Sequence, residues 1–286
     1  LNMVFGARLE KHSEIDGPIL SPRISALYRL NGYAALRGSF STGFRPPMVF
    51  DEDLHITQVG GEGQIIVNDP DLDPEKSYSF SGGIELNRSA ENDRSLFVSL
   101  SGFHTQLKDA FSVQFDRIEG TALINRRVNA GGARVYGAEI EVTARPADFL
   151  SLRGGWTVQR SEYDDEIDIS FDEDNPIITR RFLRTPDLYG YLSATWELFE
   201  DKVDLETSLD ITGPMSVINA ETNAYRDRTD WFGVFDVKLS RRFGDKRYWK
   251  IFVQGHNLFD SRQDDLDRVV LSGDPSRFHM RDAGYV

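Results

Sequence analysis

Cysteine is missing from this chain of 286 residues, so disulfides, thiolate metal sites and cysteine nucleophiles are excluded. Long apolar runs are also missing, and no stretch approaches the roughly 18 residues that a transmembrane helix needs. Basic residues are scarce: 33 Lys and Arg stand against 46 Asp and Glu, a net charge of −13. This acidic excess argues against a nucleic-acid partner, because phosphate binding needs clustered cations.

Alternation of apolar and polar residues is abundant. In residues 203–211 every odd position is apolar or Thr, and every even position is Asp, Glu or Ser. A strand places successive side chains on opposite faces, so this segment has one apolar and one acidic face. About eleven such segments predict strands, most of them longer than the strands of soluble sheets. They lie near 3–12, 22–30, 33–44, 75–88, 94–108, 132–145, 148–161, 186–198, 202–213, 229–242 and 247–257.

The connections between these segments alternate in length. Short turns such as Asn31-Gly32, a strong hairpin signal, follow every second segment. The long connections are 13–21, 45–74, 109–131, 162–185, 214–228 and 258–286. Tight turns on one rim and long loops on the other are typical of outer-membrane barrels. We therefore predict an all-β fold, a transmembrane antiparallel up-and-down β-barrel.

Aromatic residues near the predicted strand ends are consistent with the two girdles of such a barrel. Cross-strand aromatic pairing in any sheet is the alternative explanation. The residues are Tyr28, Tyr33, Phe40, Phe44, Tyr78, Phe149, Trp156, Tyr189, Trp196, Trp231 and Trp249.

Six short motifs follow one another along nearly the whole chain. They are Gly-Phe-Arg-Pro within 41–47, Leu-Asp-Pro-Glu-Lys-Ser within 71–77, and the segments 102–109, 129–141, 184–186 and 257–260. In order and spacing they resemble the barrel of TonB-dependent outer-membrane receptors. A further segment, 50–62, resembles the Bacteroidetes type of these receptors, in the branch grouped with cobalamin and iron-complex receptors.

The resemblance implies a barrel of about 22 strands around an N-terminal plug. Residues 1–286 would then be a partial barrel domain of about eleven strands, without the plug and the final strand, because the chain opens in strand-like sequence at Leu1. It also implies a non-enzyme in the outer membrane of a Gram-negative bacterium. A TonB energy-transducing complex would act through the missing plug to import a scarce solute. Cobalamin, a ferric chelate or haem is the expected ligand, and a glycan or oligosaccharide is the alternative.

The long 45–74 connection contains the first candidate site. Asp51, Glu52, Asp53 and His55 stand close together, and Glu62 follows. Loops carry the ligand in the family that this chain resembles, so we predict ligand contacts here. A metal site, which would require the side chains to converge, and a plain solvated loop are the alternatives.

The 162–185 connection contains two more candidates. Arg180 and Arg181, with Arg184, form a basic cluster that could contact lipopolysaccharide phosphate or an anionic ligand; pairing with the preceding acidic loop is the simpler account. That loop, 162–174, is rich in carboxylates that could bind Ca²⁺ and bridge to lipopolysaccharide. It lacks the EF-hand spacing, so a solvated loop is the simpler account here too.

Enzymatic chemistry has weak support in the sequence. The carboxylates predicted on the polar strand faces alternate along several strands, as a water-filled or plug-filled interior requires. They are Glu85, Glu139, Glu141, Asp204, Glu206, Asp210 and Asp236, with Arg153 among them. His104 and His256 have serines nearby, but no Gly-x-Ser-x-Gly elbow is present. We predict no catalytic residue; a barrel enzyme, a passive porin and a soluble β-rich binding domain are the rival classes.

Overall fold

The computed structural model describes residues 1–13, 15, 17–47, 64–89, 94–119, 122–129, 131–170, 175–199, 202–218, 225–244 and 249–261. The strands of this part are β1 (Asn2–Lys11), β2 (Pro18–Arg29), β3 (Ala34–Arg45), β4 (Gln64–Asn68), β5 (Glu75–Ser89), β6 (Ser95–Lys108), β7 (Phe111–Glu119), β8 (Ala122–Asn129), β9 (Ala133–Ala147), β10 (Leu150–Asp168), β11 (Ile178–Arg181), β12 (Leu188–Leu198), β13 (Val203–Thr212), β14 (Val217–Ile218), β15 (Tyr225–Arg226), β16 (Phe232–Phe243) and β17 (Trp249–Gly255). Among the described residues, no helix has the length and apolar character needed to cross a membrane.

One large antiparallel sheet dominates the fold. Its strand order is β1-β2-β3-β5-β6-β9-β10-β12-β13-β16-β17, and the short β11 adds to β10. Each long strand therefore pairs with the next long strand along the chain, as an up-and-down arrangement requires. All eleven predicted segments are strands of this sheet, and the segment predicted at 202–213 is β13.

The register places the apolar side chains of neighbouring strands on one face. Ile84 pairs with Leu100, Leu100 with Ile140, and Ile140 with Trp156. Leu100 is 49% exposed, so this face is not covered by other described residues. The neighbouring positions, Glu85, Ser99 and Glu141, align on the opposite face. Since the side-chain period is two, this register keeps an apolar and a polar face along the whole sheet.

The sheet curls towards its polar face. Two concavities of about 660 and 630 Å³ are lined mainly by polar-face residues, among them Arg8 and Ser41 in the first and Glu139 and Asp210 in the second. The apolar face is therefore the convex, outer one. One aromatic assignment is wrong: Tyr189 pairs with Thr157 on the polar face, so it cannot belong to an outer girdle.

Three of the long connections that were predicted to be loops contain strands. β4 lies within 45–74 and pairs in parallel with β8, which forms a hairpin with β7 inside 109–131. β14 and β15 form a small hairpin within 214–228. β4, β14 and β15 are too short for a readable alternation, the partner of β4 is distant in the chain, and the alternation of β7 and β8 lies inside a connection predicted to be a loop. Sequence pattern therefore could not reveal β4, β14 and β15, whereas the alternation of β7 was missed.

The acidic segment predicted to open a loop at residue 162 is also a strand in part. β10 continues to Asp168, beyond its last pair with β12, which joins Val158 and Leu188. The extension pairs with β11, with Glu162 opposite Arg181 and Ile167 opposite Thr179. Pairing with this short returning strand overrides the weak strand preference of acidic residues.

Candidate functional site

Four of the sequence motifs meet at the rim that carries the long connections, here called the long-loop rim. We call this contact the rim junction, and its members are Arg45, Asp73, Glu75, Asp109 and Asn129. Glu75, the first residue of β5, is buried, with 7% of its surface exposed. Its carboxylate accepts a hydrogen bond of 2.6 Å from the backbone N–H of Phe111 and lies 3.6 Å from the guanidinium of Arg45.

Asn129 connects the other side of the rim junction. Its side-chain oxygen accepts a hydrogen bond from the backbone N–H of Asp73 at 2.8 Å. Its amide nitrogen donates to the carbonyls of Asp73 at 2.9 Å and Asp109 at 2.6 Å. Asp109 has a left-handed backbone, with φ of 56°, where β6 turns into β7. One amide side chain thus ties the end of β8 to the connections that flank β5 and β6.

The ring of Phe111 lies between two cations of the same region. The guanidinium of Arg45 is 5.4 Å from the ring centroid, and that of the buried Arg127 is 5.8 Å away. Cation–π contacts of this kind add to the ion pair with Glu75. Together these contacts hold the β4-β8-β7 sheet against the barrel wall.

A second packed region on the same rim surrounds the Arg-Thr-Pro motif. Arg184 has a left-handed backbone, with φ of 55°, and its N–H donates to the carbonyl of Ser216 at 2.8 Å. The hydroxyl of Ser216 donates to the carbonyl of Asp227 at 2.9 Å. Val217 is fully buried beside it. This motif therefore fastens the 214–228 connection to the end of the β10–β11 hairpin.

The two basic residues predicted as ligand contacts both have partners within the chain. The guanidinium of Arg181 lies 3.2 Å from the carboxylate of Asp187 and 3.9 Å from that of Asp227. Arg180 donates to the backbone carbonyl of Tyr163 at 3.2 Å and also bonds that of Asp164. The side chain of Arg180 thus pairs with the acidic segment, but it bonds to backbone carbonyls and not to the carboxylates of that segment. A ligand contact by either residue stays a prediction.

Glu162 in the β10 extension is held by two arginines. It contacts Arg160 at 2.5 Å and Arg134 at 3.3 Å. The hydrogen bond from Arg160 lowers the pKa of Glu162 below its ordinary value, and that from Arg134 acts in the same direction. A spanning strand needs about 9–11 residues, which β10 supplies before it reaches Glu162, so this cluster lies above the spanning part.

Other carboxylates of the predicted calcium loop bond to protein groups. Asp164 accepts a hydrogen bond from the amide of Gln106 at 2.7 Å. Asp168 accepts from the backbone N–H groups of Ser170 and Ile177, and these bonds lower its pKa, that of Ser170 most strongly. No group of three or more His, Asp or Glu residues that could hold a metal occurs within the described ranges. Residues 171–174 lie outside them, so the calcium site stays a prediction.

The candidate contacts in the 45–74 connection lie outside the described residues as well. These are Asp51, Glu52, Asp53, His55 and Glu62. Their role as ligand contacts stays a prediction.

The polar face is lined by ion pairs. Lys238 contacts Glu206 at 3.0 Å, and Arg242 contacts the buried Asp204 at 2.7 Å. Lys250 approaches the same Asp204 at 3.4 Å. The carboxylates predicted for the polar face do lie there, and three of them, Glu85, Asp204 and Glu206, have a cation on a neighbouring strand. Ion pairs repeated in successive rows are typical of a hydrated barrel interior, and they do not indicate a catalytic pair of carboxylates.

The concavity of about 630 Å³ is an exception to this pairing. Glu139, Glu141 and Asp210 line it, with the rings of Tyr189 and Tyr191. The hydroxyl of Tyr191 donates to Glu141 at 3.4 Å. Gly155 makes room for the ring, because a Cβ there would lie 2.6 Å from Cε1 of Tyr191. This acidic and aromatic surface was missed from sequence, since it depends on the register of β9, β10, β12 and β13.

The two histidines considered for catalysis lie on opposite faces. His104 is on the apolar face, next to the ring of Tyr136. His256 is 70% exposed at its side chain, and its Nδ1 lies 2.8 Å from Asp236. No serine hydroxyl bonds to His256 in the part of the chain that the structure describes. The arrangement gives no support to the barrel-enzyme alternative.

The last motif closes the turn after β17. The side chain of Asn257 donates to the carbonyl of Ser261 and accepts from its N–H, both at 2.9 Å. The backbone N–H of Asn257 donates to Asp236 at 2.9 Å, and the ring of Phe259 stacks on Phe235 at 5.3 Å. Each of the six motifs thus includes a turn or the end of a strand.

A family model described as TonB dependent receptor-like, beta-barrel, matches residues 1–258. This chain belongs to the TonB-dependent receptor family. The family consists of transporters rather than enzymes and lies in the outer membrane of Gram-negative bacteria. The predicted family, fold class and location are confirmed, and the long-loop rim faces outward from the cell. The narrower resemblance of 50–62 to one branch stays a prediction.

Two kinds of relative extend this comparison. The iron-regulated outer membrane virulence protein of Vibrio cholerae is 32% identical over 168 residues, 56% of this chain and 25% of that protein. This chain therefore spans about a quarter of the length of that curated relative.

Solved structures share the fold. The siderophore receptor PirA from Pseudomonas aeruginosa matches with a TM-score of 0.66 and 19% identity, over 91% of this chain and 42% of that one. A mutant ferric enterobactin receptor, PfeA, from the same species matches with a TM-score of 0.64 and 17% identity, over 90% and 37% of the two chains. These likenesses establish the barrel architecture of this TonB-dependent receptor chain.

Acidification is expected to loosen the β10 extension, which Glu162 holds to Arg134 of β9 and with which β11 pairs. The pKa of Glu162 is lowered from 4.5 in the folded state, so its contribution is complete above about pH 4.5 and is lost as the pH falls through the lowered pKa. Loss of hydrogen bonds to a charged group should lower the amide protection factors in 162–181 about tenfold or more, measured by exchange mass spectrometry at pH 7, 5, 4 and 3 and corrected for the intrinsic exchange rate at each pH. Glu162→Gln should reduce this pH dependence and leave the part that comes from Asp168; an unchanged profile in the variant would contradict the assignment.

Proposed function

We propose that this chain is the barrel portion of a larger receptor that imports a ferric chelate of the siderophore class, with energy from a TonB complex. The observation that carries the proposal is the family match over residues 1–258, together with the relative named as iron-regulated. The structural neighbours include a siderophore receptor and a ferric enterobactin receptor. These names favour iron over cobalamin within the predicted ligand classes, and a ferric chelate over haem.

The polar inner wall supports a filled interior. Its carboxylates and cations form rows on the concave face, and such rows are stable only against water or a polar partner. A plug supplied elsewhere in the full receptor is such a partner. We propose that the TonB complex acts through that plug, and that residues of the long-loop rim contact the ligand, Asp51, Glu52, Asp53, His55, Glu62, Arg180 and Arg181 among them.

The test is uptake by cells that carry the full-length receptor as their only TonB-dependent receptor. Radioactive iron is supplied as ferric catecholate, ferric hydroxamate or haem, and cyanocobalamin and oligosaccharides are offered separately. We expect uptake of one ferric siderophore class, abolished by a protonophore. Uptake at the same rate with and without the protonophore would indicate a passive pore and would contradict the proposal. Uptake of cobalamin, haem or a glycan alone would also contradict the proposal.

Rim variants sharpen this test. Glu52→Gln with Asp53→Asn should lower ferric chelate uptake by about tenfold, since a desolvated charge contact contributes about 1.5–3 kcal/mol. Asp148→Asn is the matched control, because Asp148 lies in the short turn between β9 and β10 on the opposite rim. Equal loss in both variants would reflect reduced folding and would count against a ligand role for the 45–74 connection.

A further inference from the structure

Two adjacent register rows on the inner face of β2, β3, β5 and β6 carry short hydroxyl side chains. We call them the serine tract, and its members are Ser25, Ser39 and Ser81 in one row and Ser41, Ser79 and Thr105 in the next row towards the long-loop rim. On β5 the serines share the parity of Glu85, which is on the inner face, and not that of Ile84. With neighbouring strands about 4.8 Å apart, the serine tract is about 14 Å wide.

The hydroxyls of the serine tract bond to one another across the strands. Ser39 and Ser81 share a hydrogen bond of 2.7 Å, and Ser79 and Thr105 share one of 3.0 Å. A hydroxyl both donates and accepts, and it rotates to suit its partner. Such bonds therefore exchange readily for bonds to water or to a polar solute. Passage through a pore needs contacts of this kind, which admit a solute without retaining it.

The wall that contains the serine tract exposes no unpaired carboxylate on β5. Between Glu75 and Glu85 the inward residues of this strand are all serine or glycine. Glu75 and Glu85 each pair with an arginine of β3, at 3.6 and 2.8 Å. A solute that moves along this strand therefore meets short polar side chains between two neutralised ends.

The inner face at the other end of the sheet is charged instead. On β13 the inward residues Asp204, Glu206 and Asp210 are distributed along the whole strand. Lys238 and Arg242 of β16 hold Glu206 and Asp204 in ion pairs of 3.0 and 2.7 Å. A solute that passed here would have to separate these pairs, and a charge left unpaired out of water is costly. This sector therefore favours a partner that stays in place.

The concavity of about 660 Å³ lies at the outer end of the serine tract. Ser41 lines it, together with Arg23, which is directly opposite Ser41 on β2. Arg23 is exposed and has no carboxylate partner within the described residues, whereas Arg8 in the same concavity bonds to Glu10 at 2.5 Å. The volume is within the range of about 300–1,000 Å³ that is typical of ligand pockets. An anionic solute of that size is therefore attracted to the outer end of the serine tract.

We propose that the imported solute, an anionic ferric chelate, crosses the barrel along the serine tract, and that the plug withdraws from this sector of the wall during transport. The charged sector of β13 and β16 stays covered by the plug. The inference rests on the proposed import of a ferric chelate. It adds the side of the lumen that the chelate follows.

The test uses Ser81→Cys in the full-length receptor, on a background without other cysteines; this chain contributes none. A membrane-impermeant maleimide is added to cells during uptake of the radioactive ferric catecholate or ferric hydroxamate that the wild type imports. Labelling should be about tenfold faster than in protonophore-treated cells, because uptake populates a state that is minor at rest. Uptake by this variant should then fall by the fraction of receptor labelled, whereas chelate binding to de-energised cells should not fall.

The control is Ser208→Cys, the same substitution at a mid-strand position on the inner face of β13, between Ser193 and Asp236. Its labelling should be the same with and without the protonophore. Equal acceleration at both positions, or unchanged labelling of Ser81→Cys in cells that are taking up iron, would overturn the proposed route. Failure of the proposed function would instead appear as absent iron uptake by the wild type, so the two failures are distinguishable.

Discussion

Leu100→Arg should prevent stable insertion of the receptor, whereas Ser99→Arg should leave it folded. Leu100 lies mid-strand on the outer face, paired with Ile84 and Ile140. An arginine on the lipid-facing side at the bilayer midplane destabilises a folded barrel by about 2–4 kcal/mol. The neighbouring Ser99 lies on the inner face between Glu85 and Glu141, which would receive the new cation favourably.

The measurement is folding of the full-length receptor into lipid vesicles, followed by heat-modified gel mobility and by urea titration. The two variants differ by one residue in position and are identical in the group introduced. Side-chain volume and added charge therefore cancel in the comparison. If Ser99→Arg blocked insertion and Leu100→Arg did not, the assignment of the outer and inner faces would be reversed.

Glu75→Ala should release the β4-β8-β7 sheet from the barrel wall without unfolding the barrel. The substitution removes the acceptor of the Phe111 N–H and the partner of Arg45. Loss of a hydrogen bond to a charged group costs about 1.5–3 kcal/mol, so the connection 109–131 should open about thirtyfold more often. Protease added to intact cells should then cut this connection correspondingly faster.

Glu85→Ala is the matched control on the same strand. Glu85 pairs with Arg37 at 2.8 Å, but both side chains are partly exposed, at 26% and 61%. Such pairs contribute about 0–1 kcal/mol, so cleavage of 109–131 should stay near the wild-type rate. Cleavage that is as slow in Glu75→Ala as in this control would show that the rim junction does not hold the sheet.

The long strands could be predicted because their signal is local. In 203–211 the alternation alone determines which side chains share a face, and β13 occupies Val203–Thr212. Prediction from the local pattern fails for the acidic run after residue 161. Its composition indicates a loop, yet Glu162 is in β10 because Arg160, Arg134 and the short β11 are there to receive it.

Each motif that indicated the family could be recognised in the sequence, but the contacts between the motifs could not be predicted from it. Asn129 bonds to Asp73 across 56 residues of chain, and Glu75 bonds to Phe111 across 36. Nothing in the spacing of these residues shows that one amide and one carboxylate join four motifs.

Fold class, strand order and the membrane-facing pattern follow from the sequence, because a period of two and short turns act between neighbouring residues. The rim junction and the acidic and aromatic concavity arise from register and from long connections folding back. These depend on contacts between distant segments, whose geometry exists only after the sheet has formed.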